Sequence, residues 1–163
     1  MTKIEPMEER LTREWGLKTA DRIRDKIFEA AGDMCGLKLL LDDEKLVVCS
    51  YALGKLLSSH EVGLKSSQLR RFYESIITIK AVVNIIRTKQ NASELFRSKG
   101  LPQVVMLKPQ LANAKARQSR EVTPFFEVIN PMLDCIKEIE DYDKLCQFVE
   151  AVVAYHKYCG GRD

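Results

Sequence analysis

Apolar residues recur along most of this chain at steps of three to five. That spacing puts them on one side of a helix, and no segment alternates as a half-buried strand does. In LTREWGLKTADRIRDKIFEAAG the apolar positions are Leu11, Trp15, Ala20, Ile23, Ile27 and Ala30, with charges on the opposite face. Gly16 divides this stretch and leaves the residues before about 17 as an N-terminal arm. AGDMCG, residues 31–36, reads as the stop, because glycine takes the left-handed cap conformation readily. A second helix is predicted over about 44–58, using Leu46, Val47, Leu53, Leu56 and Leu57.

SSHEVGLKSS is the turn that follows, with Ser66 or Ser67 as the cap of a third helix, QLRRFYESIITIKAVVNIIRTK. Its stripe is Leu69, Phe72, Tyr73, Ile76, Val83 and Ile86. RSKGLPQ reads as a loop or short break around Gly100 and Pro102. A fourth helix is predicted over about 109–120, since proline fits a first helical turn. Thr123 and Pro124 repeat that signature for a fifth, FFEVINPMLDCIKEI, which Pro131 should kink or break. Asp141 caps the last helix and Gly160 with Gly161 end it. With no repeat and no low-complexity linker, the expectation is one all-α domain over 1–163, a bundle of five to six helices.

Composition narrows the class. The 163 residues are 45% hydrophobic and 30% charged, an ordinary globular profile rather than a disordered one. No apolar run approaches the roughly 18 residues that cross a bilayer. The opening MTKIEPMEERLTREW is too charged for a secretory signal, so no membrane association and a cytoplasmic setting are expected. Five cysteines (35, 49, 135, 146 and 159) form no C-x-x-C pair, and only His60 and His156 accompany them. Zinc-ligand spacing is lacking, so they read as buried free thiols, with no metal and no cofactor implied.

Charge is segregated. Between Lys65 and Arg120 there are 12 Lys and Arg against two acids, Glu74 and Glu94, a balance of +10, while the remainder sums to −7. A basic middle between acidic flanks points to one face for a polyanion and other faces for something else. Within it, Lys80 emerges along the apolar stripe of the third helix, where an ammonium must snorkel to the rim or meet an anion. Arg70 and Arg71 open the same helix, a position the helix dipole disfavours for cations. In LKPQLANAKARQSR, Gln110, Asn113, Arg117 and Arg120 step by three, four and three as a stripe of donors, and Lys108 and Lys115 stand on a neighbouring line. Donors and cations with few acids suit phosphate and ribose oxygens, and without aromatic residues they do not suit base reading.

In the closing stretch AVVAYHKYCGGRD, Phe148, Val149, Val152 and His156 share one face, the placement of a satisfied boundary histidine. The glycine pair permits the basic tail to reverse toward the bundle. His156 and Cys159 are the nearest approach to a nucleophile–base pair, without a third residue or oxyanion donors. There is no glycine-rich phosphate loop, no H-E-x-x-H and no G-x-S-x-G, so the chain is not expected to be an enzyme.

The order SQLRRFY…IK, then LKPQLANAKAR, then FVEAVVAYHKYCGGRD resembles the Csm small subunit of type III-A CRISPR effector complexes. The resemblance spans residues 50–163, and the AYHK ending with its glycine pair is its most specific part. Asn113 stands where that family carries an aromatic residue. The resemblance implies a noncatalytic helical subunit that stacks in several copies beside the other Csm subunits and holds target RNA as it pairs with CRISPR RNA in antiviral defence. By motif match it implies Gln68, Arg70, Lys80, Lys108, Arg117, His156 and Lys157 as contacts to RNA or its surroundings; Arg71, Lys115 and Arg120 follow from the charge pattern alone. The rival reading is a helical protein-interaction or homo-oligomerisation module without nucleic-acid binding. A DNA-binding helix-turn-helix would need base-edge readers after a tight turn, and no predicted helix pair has one.

Overall fold

The computed structural model describes residues 2–29 and 36–163. In it the chain runs through α1 (Met7–Glu14), α2 (Ala20–Phe28), α3 (Leu37–Leu40), α4 (Asp43–Ser58), α5 (Ser66–Arg87) and α6 (Ala92–Leu95). A π-helical turn (Phe96–Gly100) follows, then α7 (Leu101–Val105), α8 (Leu107–Arg117), α9 (Ser119–Leu133) and α10 (Ile139–Tyr158). No strand occurs among the described residues, so the all-α expectation holds. Eight of the helices have five or more residues, however, not five to six.

Two places account for the difference. Gly16, at φ +67°, separates α1 from α2, so the residues expected as an arm carry a helix of their own, which packs on α4, with Met7 and Leu11 partly buried against the core. RSKGLPQ is helical rather than a loop. The wide turn lets the Phe96 ring enter the core at 1% exposure, and a side chain on Gly100 would lie 2.7 Å from that ring. Pro102 occupies the first turn of α7, where its missing N–H costs nothing. Residues 31–35 of the expected AGDMCG stop, with Cys35, and Ala30 fall outside the described residues. α9 begins at Ser119 rather than at a Thr123 cap and runs through both Pro124 and Pro131. The carbonyl that Pro124 leaves without its helical partner belongs to Arg120, an exposed residue that solvent can serve.

α4 is the central helix. Seven consecutive residues, from Val48 through Gly54, are buried, as a helix enclosed on all sides requires. α1, α2 and α9 flank it, and α10 crosses it most intimately. At that crossing a Cβ on Gly54 would sit 2.8 Å from the His156 backbone nitrogen, so only glycine lets the two backbones approach this closely. α10 also packs on α3 and α5. Its start is secured by Asp141, third in the helix rather than its cap residue, whose carboxylate accepts from the N–H groups of Lys38 (2.9 Å), Lys137 and Glu138 (3.0 Å each). The Tyr142 hydroxyl donates to the Ile76 carbonyl at 2.7 Å, tying α10 to α5. No helix among the described residues is long and apolar enough to cross a membrane.

Candidate nucleic-acid interface

The amino-terminal turns of α5 lie between two other parts of the bundle. On one side α8 runs antiparallel to it. Gln110 donates to the Ser75 hydroxyl at 2.7 Å, and the Gln68 amide donates to Gln118 at the corner joining α8 to α9. On the other side is the end of α10, where His156 meets Leu64 and Ser66. A cleft opens on each side, and neither is lined by an acidic residue among the described residues.

Arg70 and Arg71 are neighbours in sequence and so point about 100° apart on the helix. Each faces its own cleft. Arg71 joins Gln68, Gln110, Asn113 and Arg117 around the groove between α5 and α8. Arg70 joins Ser66, His156 and Lys157 around the narrower cleft toward α10. Arg70, Arg71, Arg117 and Lys157 are exposed, and none has a carboxylate within 4 Å among the described residues. Gln68 is half-buried and also accepts the Lys65 N–H at 2.8 Å, which orders the helix start.

The other candidates are placed differently. Lys108 is ion-paired with Asp134, and Arg120 leans on Glu121 at 3.6 Å. Arg120 also drops out of the α8 stripe, because the chain leaves helical geometry at Gln118 (φ −136°, ψ 63°) and restarts as α9. Lys115 is half-buried with its ammonium 4.5 Å from the centre of the Phe126 ring, a cation–π contact that holds it against α9. Lys80 is half-buried further along α5 near Cys146, whose thiol burial pushes up to about 11 against the opposing pull of a Tyr142 hydrogen bond and of the Lys80 charge.

His156 is 1% exposed. Its Nε2 lies 2.6 Å from the Leu64 carbonyl oxygen, which requires an N–H there, and Nδ1 lies 3.5 Å from the Ser66 hydroxyl. Both ring nitrogens thus serve the turn before α5, and neither is directed to Cys159, whose thiol burial shifts upward. A solvent contact to RNA is closed to this residue; its place is beneath the surface that carries Arg70 and Lys157.

Sequence reasoning missed the tail's partner. Beyond Gly160 the chain folds back, and the Arg162 carbonyl accepts the Ser66 N–H at 2.7 Å. The glycine pair signalled a reversal, but nothing local identified the start of α5, nearly a hundred residues earlier, as its destination.

These features define an all-α protein with a cluster of exposed cations at the head of α5. The chain belongs to the Csm2 family of type III-A CRISPR systems: the family model described as Csm2 Type III-A matches residues 41–162, from the approach to α4 to the tail. It is therefore a small subunit of a type III-A Csm complex, with the other subunits of that complex as partners. Comparison with curated proteins and with solved structures returns no match.

Proposed function

We propose that this subunit holds target RNA against CRISPR RNA within the Csm complex, without catalysis, by gripping the sugar–phosphate backbone at the head of α5. The observation that carries the reading is the pair of clefts lined by Arg70, Arg71, Arg117 and Lys157, with no acidic residue lining them and no ion pair to these cations among the described residues. Guanidinium and amide donors without aromatic platforms grip backbone and leave sequence to base pairing with the guide. Lys80, Lys108, Lys115 and Arg120 contribute field rather than first contact, and His156 acts from below. The complex works in the cytoplasm in antiviral defence, and several copies stack along it. The exposed apolar residues Ile77, Ile85, Val105 and Met106 give subunit contacts a surface away from the clefts.

The test is binding of a fluorescein-labelled single-stranded oligouridylate across a salt series. Four phosphate contacts release about three counterions from single-stranded RNA, so affinity should fall roughly fifty-fold between about 50 and about 200 mM salt. A second RNA of scrambled sequence should bind within about twofold of the first. Salt-independent binding sinks the reading. Self-association by light scattering that ignores both RNA and salt would favour the rival, a protein-interaction module alone.

A further inference from the structure

The cations at the head of α5 are useful only if that head is rigid, and the residue that begins the helix does not secure it. The first N–H groups of a helix have no internal acceptor and fray unless something else supplies one. Here the cap residue is Lys65, with no capping oxygen on its side chain. Within the helix Gln68 accepts the Lys65 N–H, and the partner of the next N–H comes from the far end of the chain. Arg162 offers its carbonyl to the Ser66 N–H at 2.7 Å. His156 donates from Nε2 to the Leu64 carbonyl at 2.6 Å and has Nδ1 3.5 Å from the Ser66 hydroxyl, so it holds the residues on both sides of Lys65.

The tail reaches this place by a path that only glycine permits. Gly160 adopts φ +93°, and the Gly161 N–H returns to the His156 carbonyl at 2.8 Å. A Cβ on Gly161 would lie 2.2 Å from His156 Cε1 and Nδ1, so the tail passes directly over the ring. The imidazole is covered by Gly161 on one side and held by the α4–α5 turn on another, while Gly54 packs against the His156 backbone.

We propose that His156 and the 160–162 tail form a latch that fixes the head of α5, and that RNA binding through Arg70 and Arg71 depends on this latch. His156 is then a positioning residue that never touches RNA. This rests on the RNA-binding reading above and adds to it a dependence on the C-terminal segment.

The experiment compares His156→Ala, His156→Gln and Gly161→Ala in the full chain by amide hydrogen exchange and by oligouridylate binding across a salt series. The glutamine amide can replace the N–H given to the Leu64 carbonyl, whereas alanine cannot. In His156→Ala and Gly161→Ala, the Ser66 amide and the first turn of α5 should exchange at least about tenfold faster. RNA affinity should fall about tenfold, with the salt slope shallower by about one contact. His156→Gln should recover most of both. Ser66 exchange unchanged in both His156→Ala and Gly161→Ala removes the latch. Accelerated exchange with undiminished RNA affinity leaves a latch that does not serve RNA, which also overturns the proposal. If His156→Ala does not fold, Gly161→Ala, which keeps the imidazole and forces the tail off it, decides. If the unaltered protein shows no salt-dependent RNA binding, the functional reading fails first, while Ser66 exchange still reports on the latch.

Discussion

The two ends of α5 carry the same kinds of side chain and put them to different uses. At the head, Arg70 and Arg71 stand with Arg117 and Lys157 and meet no carboxylate within 4 Å among the described residues. At the other end, Arg87 is gripped bidentately by Asp143 of α10, at 2.8 and 2.9 Å, and on α8 Lys108 is likewise paired with Asp134. Both acids lie outside the basic stretch that counting along the chain identifies. A net charge of +10 therefore overstates what a polyanion would meet, because the acidic flanks fold back onto part of it. The positive field is concentrated where no carboxylate of the flanks comes within 4 Å of the cations among the described residues. A contiguous surface needs the absence of acids as much as the presence of bases.

The largest expected effect falls on the scaffold that both ends share. Gly54→Ala should cost about 3 kcal/mol or more, because the added methyl meets the backbone of α10 rather than a side chain that can turn away. Thermal unfolding checks it. A loss below about 1 kcal/mol would mean that α4 and α10 separate easily, and the His156 latch could not then be rigid. Next comes the head itself. Arg71→Ala combined with Arg117→Ala empties one wall of the acid-free groove, so RNA affinity should drop at least about tenfold at low salt, about 1.4 kcal/mol. Both residues are exposed, so the melting temperature should barely move. A large stability loss would make them inter-helix ties and erase the contrast between the two ends.

Much of this fold was legible in the residues. The periods and flanking signals of α4 and α5 placed both helices to within a few positions, and Gly16 marked the break between α1 and α2. RSKGLPQ reads as a loop or short break because glycine and proline usually punctuate one; here Gly100 makes room for a buried ring and Pro102 lies in the first turn of a helix. The site was legible in part. Arg70, Arg71 and Arg117 were named from charge and spacing, and the apolar neighbours of His156 signalled its burial. Which cations were neutralised was not legible: the partner of Arg87 is 56 residues away and that of Lys108 is 26 away. The Leu64 carbonyl that holds His156 is 92 residues away. Pairings at that range are set by how α9, α10 and the tail pack, and no local pattern encodes them.

The smallest expected effect tests the neutralised end. Arg87→Ala removes a bidentate pair that is partly exposed on both sides, 42% for Arg87 and 30% for Asp143, so solvent already screens it. The hydrogen bonds Arg87 donates to Asp143 raise the guanidinium's pKa further, which keeps it charged at any working pH and makes the pair insensitive to alkali. Its loss should cost about 0.5–1 kcal/mol of stability, the range of good surface pairs. RNA affinity should change less than about twofold, because Asp143 already occupies the donors that a phosphate would need. Asp143→Ala is the informative counterpart: it frees Arg87 and extends the positive surface along α5, so RNA binding should tighten slightly and its salt slope steepen. If Arg87→Ala instead weakens RNA as strongly as the Arg71 and Arg117 pair does, the ion pair opens on binding, RNA follows the whole length of α5, and the division between its two ends is wrong.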